Sequence, residues 1–513
     1  MSSQAPMLII AVPLFTALLL VMSAALGRRF AYGLLVAALA ASFFAALVTL
    51  GQVLEQGTVY YRLGDWLPPM GIELVIDRLN GLVLALVSGC ALLTAIYSLR
   101  SAEQENPDRI NHYYALFVLL VTGLLGMTAT GDVFNLYVLL EISALSSYGL
   151  LARGRGPAYY ATFKYLVVGT IGACFYLLGV GYLYIKTGTL NMAELSGLLA
   201  QPAAQESISI RIGFTLIIIG IWIKMAFFPL HGWLPNAYSR AGTTTACLIA
   251  PLMTKVSVYI MLRMMFTVFS ADYIFGGAIA WSRLVPWLAS IAVLVGMISA
   301  LAQRDLRKML TYIIVAEIGY MAGGAWLANA AGFTGAVYHL LADALMTLCL
   351  FMAVGAIIFR SGDNSPAAMN NLFRRMPVTG AVFLVGAASI VGVPPTCGFF
   401  SKWYLIQGAA QAGAWVFVAA LLLGSLLAAV IFFRLLEIAF FGELPSLDAA
   451  ESGHGDGHED NGHDHRPEVA VIAEAPLSML LPMVITAVAL IVLGLYTNEI
   501  VSNFIRLVIP AGL

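Results

Sequence analysis

Residues 220–235 read Gly-Ile-Trp-Ile-Lys-Met-Ala-Phe-Phe-Pro-Leu-His-Gly-Trp-Leu-Pro, and this stretch decides the fold. Lys224 lies inside an apolar helical run that begins near Ile212. A charge at membrane depth is costly and usually marks an ion pathway. Pro229 has no backbone N–H to give, so the carbonyl of Met225 loses its partner and the helix is expected to break there. Non-helical backbone survives in a bilayer only where protein buries it or water reaches it. Lysine, break, His231 and the Trp-Leu-Pro exit together point to a hydrated half-channel. The plainer alternative is a kinked structural helix with a snorkelling lysine, but Lys224 lies too deep to reach the interface easily.

Composition bounds the class. Of the 513 residues 61% are hydrophobic and only 10% charged, against about 25% charged in a soluble domain. This is an all-α polytopic membrane protein lying in the lipid bilayer. A net charge of −1 gives no attraction to nucleic acid. The five cysteines, Cys90, Cys174, Cys247, Cys349 and Cys397, all fall in apolar segments and none has CxxC spacing, so neither a disulfide framework nor a metal cluster is expected. A Gly-rich phosphate loop is also missing, and no cofactor is expected.

Spans need about 20 apolar residues. Candidates are 7–26, 31–52, 79–99, 112–130, 133–153, 161–184, 212–240 (broken), 244–269, 285–303, 308–328, 332–359, 377–408 (broken), 413–441 and 476–497, about fourteen in all. The first has no positive charge ahead of it and Arg28-Arg29 behind it, unlike a signal peptide, and reads as a retained span. Residues 55–78 alternate and carry Pro68-Pro69, as expected of a short hairpin on one membrane face. Lysine and arginine concentrate in loops after odd-numbered spans, which places those loops in the cytoplasm and both termini outside.

A second interrupted span, 390–405, reads Ile-Val-Gly-Val-Pro-Pro-Thr-Cys-Gly-Phe-Phe-Ser-Lys-Trp-Tyr-Leu and embeds Lys402. Five spans separate the two breaks, an odd number, so neighbouring repeats enter the membrane from opposite sides. Paired interrupted helices in two halves are the pattern of inverted-repeat transport architecture. The expected division is 1–111 (three spans and the extracytoplasmic hairpin), 112–269 and 285–441 (two inverted five-helix repeats), 442–475 (linker) and 476–513 (last span).

Ionisable residues recur at membrane depth in both halves. Glu141 lies in the fifth span with Tyr137 and Tyr148 on its helical face. A buried Glu141–Lys224 pair would titrate jointly and could hand a proton on when a neighbouring charge moves. A static ion pair that fixes packing is the alternative, although buried pairs often add little net stability. Lys255 follows in the eighth span and Glu317 in the tenth. His339 and Asp343 share a face of the eleventh at i,i+4, with Thr347 continuing it, and Lys402 lies in the twelfth. A lone intramembrane histidine is often a satisfied structural donor, but this series is explained most simply by lateral proton or cation conduction. Lys164 and Arg153 read first as interface anchors and only second as partners of Glu141. The stretch 452–465 gathers His454, His458, His463 and His465 among acids. It reads as a solvated cytoplasmic linker, with transition-metal binding as the alternative.

These residues resemble the antiporter-like subunits shared by respiratory complex I, membrane-bound hydrogenases and Mrp-type cation/proton antiporters, over roughly residues 75–440. The resemblance rests on Gly131-Asp-Val-Phe-Asn-Leu with Glu141, Lys224 with Pro229-Leu-His-Gly-Trp-Leu-Pro235, and Lys255. It rests also on Asp305-Leu-Arg-Lys-Met-Leu-Thr-Tyr312 and on Gly392-Val-Pro-Pro with Lys402. Leu63-Gly-Asp-Trp-Leu-Pro-Pro-Met-Gly-Ile72 and Arg374-Arg-Met-Pro377 look most like the D-type subunit of Mrp antiporters. The resemblance implies fourteen helices, a charged pair from Glu141 and Lys224, and a central hydrophilic axis continued by Lys255 and Lys402. Two positions depart from it. Many relatives carry His-Ala-x-x-x-Lys where this chain has Asp343-Ala-Leu-Met-Thr347, and an uncharged polar residue where it has Glu317. Glu317 and Asp343 are then expected to replace the missing basic relay and to attract a metal cation.

The leading expectation is a non-enzymatic, proton-conducting subunit of a multisubunit monovalent cation (Na⁺)/proton antiporter in the bacterial inner membrane. Its path runs through Glu141, Lys224, His231, Lys255, Glu317, His339, Asp343 and Lys402, and its partners are other hydrophobic subunits, protons and monovalent cations. The alternatives are a pumping subunit of a redox-driven complex (NADH-quinone oxidoreductase or membrane-bound hydrogenase type) and a scaffold whose charges only hold helices together.

Overall fold

The computed structural model describes residues 4–22, 27–105, 109–154, 156–441 and 474–513. The His-rich linker read at 442–475 falls, save for its last two residues, outside the described residues. The chain opens with α1 (Ala5–Met22) and α2 (Arg28–Gln56), then the strands β1 (Val59–Arg62) and β2 (Glu73–Ile76). These strands form the expected hairpin, antiparallel with Val59 opposite Ile76 and Arg62 opposite Glu73. Next come α3 (Arg78–Glu105), α4 (Ile110–Ala129), α5 (Val133–Leu151), α6 (Ala158–Thr187) and a short α7 (Met192–Leu199). The first broken span follows as α8 (Ile208–Met225) and α9 (Leu234–Ser239), then α10 (Thr243–Arg263), α11 (Val285–Leu301), α12 (Leu306–Ala325) and α13 (Ala330–Ser361). The second broken span is α14 (Pro377–Val391) and α15 (Cys397–Gln411), followed by α16 (Trp415–Phe441) and α17 (Leu477–Leu495).

Among the described residues, 12 helices are long and apolar enough to cross a bilayer. Two of the expected stretches are not in that set. One is α12, which carries Arg307, Lys308 and Glu317 in 20 residues. The other is the α14/α15 pair, whose pieces are 15 residues each, too short singly. A count of fourteen rests on taking these two as crossings.

Both breaks form where the prolines require. Helix α8 stops at Met225 and Ala226 turns left-handed at φ 60°, three residues before Pro229. Helix α14 stops at Val391 and Gly392 turns left-handed at φ 91°, three residues before Pro395. The segments α4–α10 and α11–α16 repeat one order, and their packing matches: α4 on α5 as α11 on α12, and α6 on α8 as α13 on α14. The inverted repeat expected from the spacing of the breaks is the architecture observed.

Local signals set the helix starts. Asp132 of the Gly-Asp-Val-Phe-Asn motif caps α5 by accepting from the backbone N–H groups of Phe134 (2.8 Å) and Asn135 (2.6 Å). Asp305 does the same for α12 through the Lys308 N–H at 2.7 Å. Two resemblance-bearing motifs therefore contain N-caps. The approach of α6 to α8 is set by glycines: a Cβ on Gly220 would stand 2.6 Å from the Gly172 carbonyl oxygen, and one on Gly179 the same distance from that of Gly213. Backbones this close hold Lys224 against α6.

Loop sidedness agrees with the expected topology. Leu74 bridges to Thr130 and Asp132 to Asn191, so loops after even-numbered spans share one face. Arg307 donates to the Ala241 carbonyl, Glu105 accepts from Thr243 N–H and Leu306 N–H reaches the Asn364 carbonyl, so loops after odd-numbered spans share the other.

Candidate functional site

The central helices α10 and α13 pack against each other, and α13 is buried along nearly its whole length. Where they meet, Lys255 Nζ stands 2.9 Å from Asp343 Oδ2, with both side chains shut off from solvent. Thr347 binds both partners: its hydroxyl accepts from Lys255 Nζ at 3.1 Å and donates to Asp343 Oδ1 at 2.9 Å. Thr347 is therefore joined to a lysine from the other half. The basic group at this point comes from α10 instead of α13.

In the first half, Glu141 and Lys224 form the expected pair, at 3.6 Å. The Glu141 side chain keeps 26% of its exposure, whereas Lys224 keeps 6%, so the pair opens outward through the acid. The break beside Lys224 is closed by a neutral donor, since Trp233 Nε1 donates to the Ile223 carbonyl at 3.0 Å. Lys224 is thus free of capping duty and turns to Glu141. Lys164 lies over the Tyr160 ring at 4.5 Å, in keeping with an anchor.

Between Lys224 and α10 lies a cavity of about 20 Å³, lined mostly by Leu124, Met127, Leu140 and Met253, with Ser143 and Ser257 supplying hydroxyls. That is room for one water. The approach of Lys224 to α10 is therefore narrow and largely apolar, wettable by a single molecule, and reaches the Met253–Ser257 face of that helix.

In the second half, His339 Nε2 is 2.7 Å from Glu317 Oε2, and both side chains are fully buried. His339 Nδ1 meets Ser401 Oγ at 2.8 Å. The next residue, Lys402, donates from Nζ to the Ile390 carbonyl at 2.5 Å and to Ser425 Oγ at 3.0 Å, with the Tyr320 ring 5.1 Å away. Helix α14 ends at Val391, so Lys402 sits on its unsatisfied terminal carbonyls, at the negative end of the helix dipole.

Of the eight residues named from sequence, seven enter these three clusters: Glu141 with Lys224, Lys255 with Asp343, and Glu317 with His339 and, through Ser401, its neighbour Lys402. His231 does not. Its ring stacks on Phe228 at 5.4 Å on the break, and among the described residues no hydrogen bond or ion pair joins it to the line. The two embedded lysines are not counterparts either. Lys224 lies two residues before its left-handed residue, whereas Lys402 lies ten after its own. Sequence reasoning passed over Ser401, Ser425 and Tyr320, and it read Trp233 only as part of the exit from the break, not as the donor that closes it. Only Ser401, directly beside Lys402, carried a signal. It also passed over Asp77, which meets Arg263 at 2.6 Å outside the line.

Residues 130–428 match the family model described as NADH:quinone oxidoreductase/Mrp antiporter, TM. The chain belongs to the NADH:quinone oxidoreductase/Mrp antiporter transmembrane family. Within this family, the NADH-quinone oxidoreductase subunit N of Desulforudis audaxviator (strain MP104C) is 41% identical over 512 residues, 99% of each chain. The D-type chain of the Na(+)/H(+) antiporter of Bacillus subtilis (strain 168) is 33% identical over 392 residues, 76% of this chain and 78% of that one. Among solved structures, a chain of the Mrp complex from Dietzia sp. DQ12-45-1b superposes with a TM-score of 0.86 at 26% identity, covering 98% of this chain and 96% of its own. The chain is thus a multi-pass, antiporter-like membrane subunit of Mrp or complex I type, and the sequence-based resemblance identified the family correctly.

Proposed function

We propose that this family member conducts protons laterally through the membrane as one subunit of a multisubunit complex. The path joins Glu141–Lys224, Lys255–Asp343 and Glu317–His339 to Lys402, across two halves assigned to residues 112–269 and 285–441. The observation that carries the reading is the Lys255–Asp343 pair, which puts opposite charges from the two halves 2.9 Å apart in a buried centre. A hydrophobic pair there would often be no less stable, so the charges serve chemistry better than packing. Each pair can gain or lose a proton jointly, and displacement of one charge biases the next.

The driving partner is read in two ways. An Mrp-type sodium/proton antiporter in the bacterial inner membrane is supported by the likeness to the B. subtilis antiporter chain and by the Dietzia Mrp chain. A redox-driven complex is supported by the full-length likeness to the D. audaxviator oxidoreductase chain. Purification of the native assembly separates them: small hydrophobic antiporter subunits support the first, and iron–sulfur or flavin subunits the second. In either assembly, reconstituted vesicles given a pH jump test conduction itself. Glu141→Gln or Lys255→Ala should lower proton flux per assembled complex by about a hundredfold or more, and unchanged flux in both would leave only the scaffold reading.

A further inference from the structure

Ser401 has one hydroxyl proton and two neighbours. Its Oγ lies 2.9 Å from the Gly398 carbonyl oxygen, which can only accept, and 2.8 Å from His339 Nδ1, which accepts or donates according to tautomer. The hydroxyl cannot donate to both. If it points to Gly398, it must accept from His339, so Nδ1 carries a proton. If it points to His339, Nδ1 is a bare lone pair.

The other ring nitrogen faces Glu317 Oε2 at 2.7 Å, a separation that requires one proton between them. With the hydroxyl on Gly398, the pair holds two protons: one on Nδ1 and one shared between Nε2 and Oε2. With the hydroxyl on His339, the pair holds only the shared proton, as Nε2–H against a carboxylate. The two orientations differ by one proton.

We propose that Ser401 is a positioning residue whose hydroxyl rotor sets the tautomer of His339 and so distinguishes the proton-loaded from the proton-emptied state of the Glu317–His339 pair. The setting is enclosed, since Ser401, His339 and Glu317 are all fully buried. Other ionisable groups facing it are Tyr320 on α12, whose ring meets His339 edge-on at 5.5 Å, Asp343 one turn along α13, and Lys402 and Cys397 on α15. Helices α14 and α17 carry no ionisable residue. The rotor also adjoins the second break, because Lys402, the next residue, caps α14 through Ile390. Loading of the pair and the hold of Lys402 on the broken helix are therefore controlled from adjacent positions of α15.

This inference rests on the proton-conduction reading, and its test separates the two. The complex carrying Ser401→Ala, Ser401→Thr or Glu141→Gln is reconstituted in vesicles, and initial proton flux per assembled complex is followed across pH. Ser401→Ala removes one oxygen and should lower flux about tenfold, the scale of one hydrogen bond to a charged group, and displace the midpoint of the pH profile. Ser401→Thr retains the hydroxyl and should keep both near wild type. Wild-type flux and midpoint in Ser401→Ala, or equal defects in the alanine and threonine variants, would overturn the rotor while Glu141→Gln still blocks flux. Unimpaired flux in Glu141→Gln would overturn the conduction reading itself.

Discussion

Lys255 and Asp343 meet at 2.9 Å from opposite halves of the chain, with 2% and 0% of their side chains exposed. Two charges so placed lose their hydration, and only close geometry with further hydrogen bonds offsets that cost. Thr347 supplies those bonds to both partners at once. Asp343, Thr347 and Lys255 thus act as one unit: an acid and a hydroxyl on α13 receive a lysine from α10.

Removal of Lys255 alone should strand a buried carboxylate. For Lys255→Ala we expect a loss of about 3–5 kcal/mol in stability, seen as depleted assembled complex on native gels. The double variant Lys255→Met/Asp343→Leu should recover much of the assembly and none of the proton flux. Flux in that double variant would separate the pair from transport.

The Glu141–Lys224 pair should behave differently. It is longer, at 3.6 Å, and its acid is partly exposed, so solvent screens the attraction. Glu141→Gln is expected to cost under about 1 kcal/mol in thermal stability while lowering flux by about a hundredfold or more, the contribution of a proton-transferring group. Parallel unfolding and flux measurements on one preparation check both.

Close packing of α6 on α8 makes a further expectation. Gly220→Val introduces a Cβ 2.6 Å from the Gly172 carbonyl oxygen, which neither helix backbone can accommodate without separating. We expect a destabilisation of about 1–3 kcal/mol and a wider separation of α6 from α8. Unfolding temperature reads the first, and cysteine cross-linking between α6 and α8 the second.

Outside the membrane spans, Asp77 joins the hairpin to the end of α10 through Arg263 at 2.6 Å. Burial works against the Asp77 carboxylate, yet the Arg263 charge and the N–H groups of Leu79 and Asn80 hold it below its usual range. The native chain therefore binds this proton less tightly than the unfolded chain. Its stabilising contribution is full at neutral pH and disappears only as pH falls below the ordinary aspartate range. Fluorescence of Trp66 in the hairpin loop should stay constant from neutral pH to about pH 5, and Asp77→Asn should show the detached signal at every pH.

Much of this molecule was legible in its sequence because membrane burial makes charge conspicuous. Glu141, Lys224, Lys255, Glu317, His339, Asp343 and Lys402 stand out against apolar runs, and Pro229 and Pro395 mark breaks that formed as expected. Pairing was harder to read. Nothing in sequence spacing says that Lys255 reaches across to Asp343, because that contact depends on how the two halves pack. Nor does sequence spacing show that His231 stands apart from the other residues of the line, with its ring resting on Phe228 at the break. Ser401 and Ser425 escaped notice because hydrogen-bonded neutral hydroxyls are buried without the cost of a charge and do not stand out in an apolar run.

The most direct test of the central claim is proton flux in the reconstituted native complex carrying Asp343→Asn, compared at equal assembly with wild type after a pH jump. Asparagine preserves shape and hydrogen bonding to Thr347 but cannot take up or release a proton. Flux reduced to the rate of protein-free vesicles is the expected result. Flux equal to wild type would contradict a proton path through the junction of the two halves.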